Sequence, residues 1–99
     1  MIVIVWEFRV RAATRQDFER AYGPDGDWVR LFRGAPGYDK TELLRDAADE
    51  LRYLTLDRWR AATDFDQFRR EFASEYDAID RRCAGFTASE KHLGTFEVL

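Results

Sequence analysis

Ile2-Val3-Ile4-Val5-Trp6-Glu7-Phe8-Arg9-Val10 is the stretch that decides the fold. It is rich in β-branched and aromatic residues and holds neither Gly nor Pro, so it reads as a strand. A period of two sets Ile2, Ile4, Trp6, Phe8 and Val10 on one face. Val3 and Val5 lie on the other, followed by Glu7 and Arg9. The first half of the strand is therefore apolar on both sides and needs cover on both.

Outward from this strand, Thr14 is placed to cap a helix, with Asp17 near its positive end. Phe18, Ala21 and Tyr22 form its buried stripe. Gly23-Pro24-Asp25-Gly26 breaks it, and Asp27 caps a second short helix whose Trp28, Leu31 and Phe32 face inward. Gly34 ends that helix and Pro36-Gly37 turns the chain. Tyr38–Arg45 and Arg52–Trp59 read as two strands joined by the polar hairpin loop Asp46–Glu50. Phe65, Phe68, Phe72, Tyr76, Ile79 and Cys83 recur at steps of three and four. That spacing predicts one long helix from about Thr63, its N-cap, to Arg82, stopped by Gly85. Thr87-Ala88-Ser89-Glu90 fits a capping box and predicts a single helical turn. Leu93–Leu99 is the last strand.

The order β-α-β-β-α-β predicts a ferredoxin-like α+β domain. Four antiparallel strands carry both helices on one face. No helical layer remains for the other face, and a second copy of the chain, stacked sheet to sheet, is the economical cover. The reading is thus a homodimer of one domain spanning residues 1–99, with no repeat and no linker.

Charge and composition exclude several classes of function. Lys and Arg number 16 against 19 Asp and Glu, a net charge of −3, so the basic footprint of a nucleic-acid binder is missing. Cys83 is the lone cysteine; it has no disulfide partner and no CxxC companion for a metal, and reads as a core thiol. No glycine-rich dinucleotide loop is present, so neither metal nor cofactor is expected. No apolar run approaches the roughly 18–20 residues of a membrane span. The opening strand is too short and insufficiently basic for a signal peptide, and a cytoplasmic location is expected. Aromatic residues make up 15% of the chain, enough for a bulky core or an aromatic-lined pocket.

Four segments together resemble the antibiotic biosynthesis monooxygenase family. They are the Ile2–Phe8 strand, the Ala35-Pro36-Gly37-Tyr38 turn, the Tyr53-Leu54-Thr55-Leu56-Asp57-Arg58-Trp59 strand, and the helix start bearing Phe65 and Phe68. The resemblance covers nearly the whole chain. It implies a dimeric α+β barrel and, for some members, oxygenation of phenolic polycyclic molecules without metal, flavin or haem. Such chemistry leaves few motifs. An electron-rich substrate anion reduces dioxygen itself, and the protein supplies an apolar pocket, a base, and donors for developing oxyanions.

Candidate residues follow from that requirement. Trp59 ends its strand where the family's Trp recurs, and its indole N–H is a candidate donor to a substrate oxygen; the alternative is packing in the core. Tyr22, Trp28 and Phe32, beside the Gly-Pro-Asp-Gly break, and Phe68 from the long helix are candidate walls for an aromatic substrate. Glu7 is a candidate base if its carboxylate turns inward, and otherwise a strand-end charge paired across the dimer or solvated; Asp57 and Arg58 read the same way. His92 is the only histidine, and imidazole is the side chain best suited to proton transfer near neutral pH; the alternative is a surface or packed residue. Related haem-degrading enzymes ligate iron through a histidine of the second helix; residues 63–82 contain none. The leading function is a cofactor-independent monooxygenase acting on a phenolic, polyketide-like molecule. The other reading is a non-catalytic small-ligand or interaction domain on the same scaffold.

Overall fold

The computed structural model describes residues 1–99. Strand β1 (Ile2–Val10) is followed by a 3-10 turn and helices α1 (Arg15–Tyr22) and α2 (Asp27–Phe32). The hairpin of β2 (Tyr38–Asp46) and β3 (Asp49–Trp59) comes next, then α3 (Ala62–Glu71), α4 (Ala73–Cys83), a second 3-10 turn and β4 (Thr87–Glu97). The strands form one antiparallel sheet in the order β2-β3-β1-β4, the ferredoxin-like arrangement, with β1 in its interior.

Burial follows the alternation of β1. Ile4, Phe8 and Val10 join the core with Phe18, Tyr22, Trp28 and Phe32 of the first two helices. Tyr53 and Trp59 of β3 share it, with Phe68, Ile79 and Cys83 of the last two. Ring contacts tie these layers together: Phe8 of β1 lies 4.9 Å from Tyr22 of α1, and Phe32 of α2 lies 5.6 Å from Trp59 of β3, edge to face. The Pro36-Gly37 turn requires its glycine. Gly37 has φ +90°, and a Cβ there would fall 2.5 Å from the Asp64 side chain.

Several expectations are corrected. The long helix is two, broken at Phe72, whose φ −110° and ψ 27° leave helical geometry. Thr14 stands at the N-cap of α1, but its hydroxyl donates to the Phe86 carbonyl at 2.9 Å rather than capping the helix, and Thr63 lies inside α3. Asp27 is the first residue of α2 rather than its cap. The hairpin loop shrinks to Ala47-Ala48, because the Asp46 carboxylate accepts the Ala48 N–H and sets a tight turn. Thr87–Glu90 is strand, not helix, since β1 offers its free edge along this whole stretch.

Candidate functional site

The site lies between the sheet and the helices. A pocket of about 60 Å³ has Trp6 and Phe8 of β1, Thr41 of β2, and Thr55 and Asp57 of β3 as its sheet side. Tyr22, Trp28 and Phe32 close it from α1 and α2. Tyr76 and Asp80 of α4 and Glu90 of β4 complete the wall. A groove of about 330 Å³ adjoins it, sharing Trp6 and Tyr76, and takes in Ile2, Ile4, Phe65 and His92.

Asp57 is the chemical centre of the pocket. Strand alternation sets Tyr53, Thr55, Asp57 and Trp59 on the helix-bearing face, so this carboxyl points inward and is only 9% exposed. Its Oδ1 accepts the Thr41 hydroxyl at 2.6 Å. Thr41 thereby uses its proton, so the Tyr38 hydroxyl, 2.8 Å away, donates to Thr41. The other Asp57 oxygen has no bond within the protein. Burial pushes the Asp57 pKa up from 3.8 to about 6, and the Thr41 bond restrains the rise. Thr55, 4% exposed, stands beside it with a hydroxyl that bonds to no protein group. Burial also raises the Tyr22 hydroxyl, with the neighbouring Cys83 as second cause, and keeps it neutral. Glu90 is raised by burial and by the charge of Asp80.

β4 reaches this site through an irregularity. Val5 pairs with Gly94 and Trp6 with His92, so Leu93 is an extra residue. In a regular ladder Leu93 would oppose Trp6, and both His92 and Glu90 would face away from the helices. The bulge turns both inward. His92 then lies 5.2 Å from the Trp6 ring, in the groove rather than the pocket.

The other sequence candidates divide. Tyr22, Trp28 and Phe32 line the pocket. Phe68, 1% exposed, is packed in the core behind it. Trp59 is also enclosed, by Phe32, Tyr38, Phe65 and Phe68, and its indole N–H has no partner and no opening to the pocket. Glu7 lies on the opposite face of the sheet, where Arg52 holds it at 2.7 Å. Inward placement of Asp57 was readable from the alternation of β3, whose inward neighbours Tyr53 and Trp59 are bulky. Asp80 and Glu90 carried no such signal, because their placement depends on the helix break and the bulge. No group of three His, Cys, Asp or Glu side chains is arranged to hold a metal. No helix is long and apolar enough to cross a membrane.

Comparison with known proteins agrees with this architecture. A protein of Nitrosomonas europaea, described as a candidate antibiotic biosynthesis monooxygenase, superposes with a TM-score of 0.77 at 18% identity, covering 100% of this chain and 99% of its own. A mutant of SnoaB, a cofactor-independent oxygenase from Streptomyces nogalater, gives 0.71 at 20% identity over 98% and 91%. PA3566 of Pseudomonas aeruginosa gives 0.70 at 13% over 99% and 93%. No curated protein matches the chain in sequence. The sequence profile of the antibiotic biosynthesis monooxygenases matches residues 1–74, and the chain, with its four-stranded sheet and helix-covered pocket, belongs to that family.

Proposed function

We propose that this protein is a cofactor-independent monooxygenase that oxidises a phenolic small molecule with dioxygen. The observation that carries the reading is Asp57: a buried carboxyl with a pKa near 6, one free oxygen, and aromatic walls around it. A base tuned close to working pH is what phenol deprotonation needs.

The reaction balances without any further reagent. Asp57 takes the phenolic proton. The phenolate passes one electron to dioxygen, and the resulting radical and superoxide join at an electron-rich ring carbon. The Thr55 hydroxyl is placed among the pocket groups to donate to the peroxide oxygens. Loss of water from the hydroperoxide leaves a carbonyl. One oxygen atom enters the product, the other leaves as water, and the substrate supplies all four electrons.

The pocket is smaller than the ~150 Å³ cavity that admits benzene. A ring therefore enters edge first, with the remaining rings along the groove beside Trp6 and His92. The opposite face of the sheet carries Val5, Leu44, Leu54, Leu56 and Phe96, with Leu44 and Phe96 exposed. We assign that face to a second copy of the chain. Oxygen uptake against a panel of anthrone-type and simpler phenols tests the enzymatic reading. Wild type should consume oxygen with at least one of them, and Asp57→Asn should lose activity by about 10²–10⁴-fold. A wild type inert across the panel would leave a ligand-binding domain instead.

A further inference from the structure

Three carboxylates line the pocket, Asp57, Asp80 and Glu90, and no Lys, Arg or His does. Elsewhere arginines hold several of the carboxylates: Arg52 holds Glu7 and Asp46, Arg60 holds Asp64, and Arg82 holds Asp27. None of the three pocket acids has an ion-pair partner. Lys91, next to Glu90 in the chain, pairs with Glu7 in the ladder and so belongs to the other face. Arg69 of α3 borders the adjoining groove, where its guanidinium stacks on Tyr76, 3.8 Å from the ring centroid. The acids do not converge closely enough to chelate a metal ion. They surround instead a space walled by Trp28, Tyr22 and Tyr76, whose ring faces attract organic cations.

We propose that the substrate carries a protonated amine, held at the mouth of the pocket by Asp80 and Glu90 against these rings while its phenolic edge points toward Asp57. This rests on the pocket being the substrate site, and it adds the charge of the substrate to that reading. The bulge at Leu93 belongs to the argument, since it is what brings Glu90 to the mouth. Asp57, 9% exposed and with an unpartnered oxygen, marks the inner end.

The test compares three probes of one skeleton by calorimetry near pH 7.5: tyramine, 4-ethylphenol, and 3-(4-hydroxyphenyl)propionate. Tyramine should bind about tenfold more tightly than the neutral phenol, and the anion should bind more weakly than both. Asp80→Asn and Glu90→Gln, with folding verified by melting, should each cut the preference for tyramine over 4-ethylphenol by roughly three- to tenfold. Added salt should reduce it as well. Equal affinity for the two, no binding by tyramine, or a preference untouched by both substitutions overturns the proposal. Oxygen uptake is a separate readout. A tyramine preference without any oxidation would refute the monooxygenase reading and leave this one standing; oxidation of phenols without that preference would do the reverse.

Discussion

Asp57 sits where the fold gains least from a carboxylate. Its pKa of about 6 in the folded chain, against 3.8 when unperturbed, means that the folded state binds this proton more tightly than the unfolded state. The associated stability is fully present below about pH 4 and is lost as pH rises through about 6. At pH 8 the ionised group therefore costs up to about 3 kcal/mol. Asp57→Asn keeps an acceptor for Thr41 and cannot ionise. It should be more stable than wild type at pH 8 by about 1–3 kcal/mol, with the gap closing near pH 4, as read by denaturant melts at the two pH values. In the wild type kcat/KM should fall about tenfold per pH unit below pH 6, as the base becomes protonated. Trp59 offers the contrast. Its indole is sealed among Phe32, Tyr38, Phe65 and Phe68, so Trp59→Phe should destabilise the chain by about 1–3 kcal/mol and leave turnover by the folded protein within a few-fold of wild type. A hundredfold loss of turnover at unchanged stability would bring Trp59 back into the mechanism. The family resemblance drew attention to this tryptophan, whereas Asp57, two residues earlier, was read only as Glu7 was, an inward base or a strand-end charge.

At the scale of elements, regular patterns were legible and irregular ones were not. The two-residue period of β1 set its two faces, and the Pro36-Gly37 turn marked where the hairpin strands begin. The three-and-four spacing from Phe65 to Cys83 found the helical face but ran straight through Phe72, because a one-residue break leaves the apolar pattern almost unchanged. β4 was cut short for a related reason. Thr87–Glu90 satisfies a local capping box, yet pairing with the interior strand β1 outweighs one helical turn. The bulge at Leu93 depends on Gly94, whose φ of +156° suits no L side chain and whose missing Cβ would lie 3.2 Å from the Phe96 ring. Gly94→Val should destabilise by about 1–3 kcal/mol. It should also remove the magnetisation transfer between the His92 and Trp6 rings in NMR spectra, as β4 slips into a regular ladder. Retention of that signal would mean the register is held from elsewhere along β4.

At the scale of the molecule, the two faces of the sheet differ in cover. One is closed by four helices of the same chain. The other pairs Val5 with Leu56 and Leu44 with Leu54 across adjacent strands, and ends in the Phe96 ring, 53% exposed. A patch of this kind is costly to leave in water. Light scattering should give about twice the chain mass of 11.7 kDa, and Leu56→Lys should shift the population to monomer without unfolding it. A wild-type monomer at micromolar concentration would show that the face is tolerated in solvent. The doubly apolar half of β1 was the sequence feature that pointed here.

β1 also shapes how the chain comes into being. It precedes the other strands in the chain, and both of its hydrogen-bonding neighbours, β3 and β4, arrive dozens of residues later. Until Asp49–Trp59 has been synthesised, Ile2-Val3-Ile4-Val5-Trp6 has no ladder to join, and it is a charge-free segment of high β-propensity. Nascent chains and refolding intermediates are therefore most prone to aggregate through this segment, and the remedy lies in its flanks: Glu7 and Arg9 stand next to it as gatekeepers. The Arg52 that later neutralises Glu7 in the finished sheet does so only after that hazard has passed.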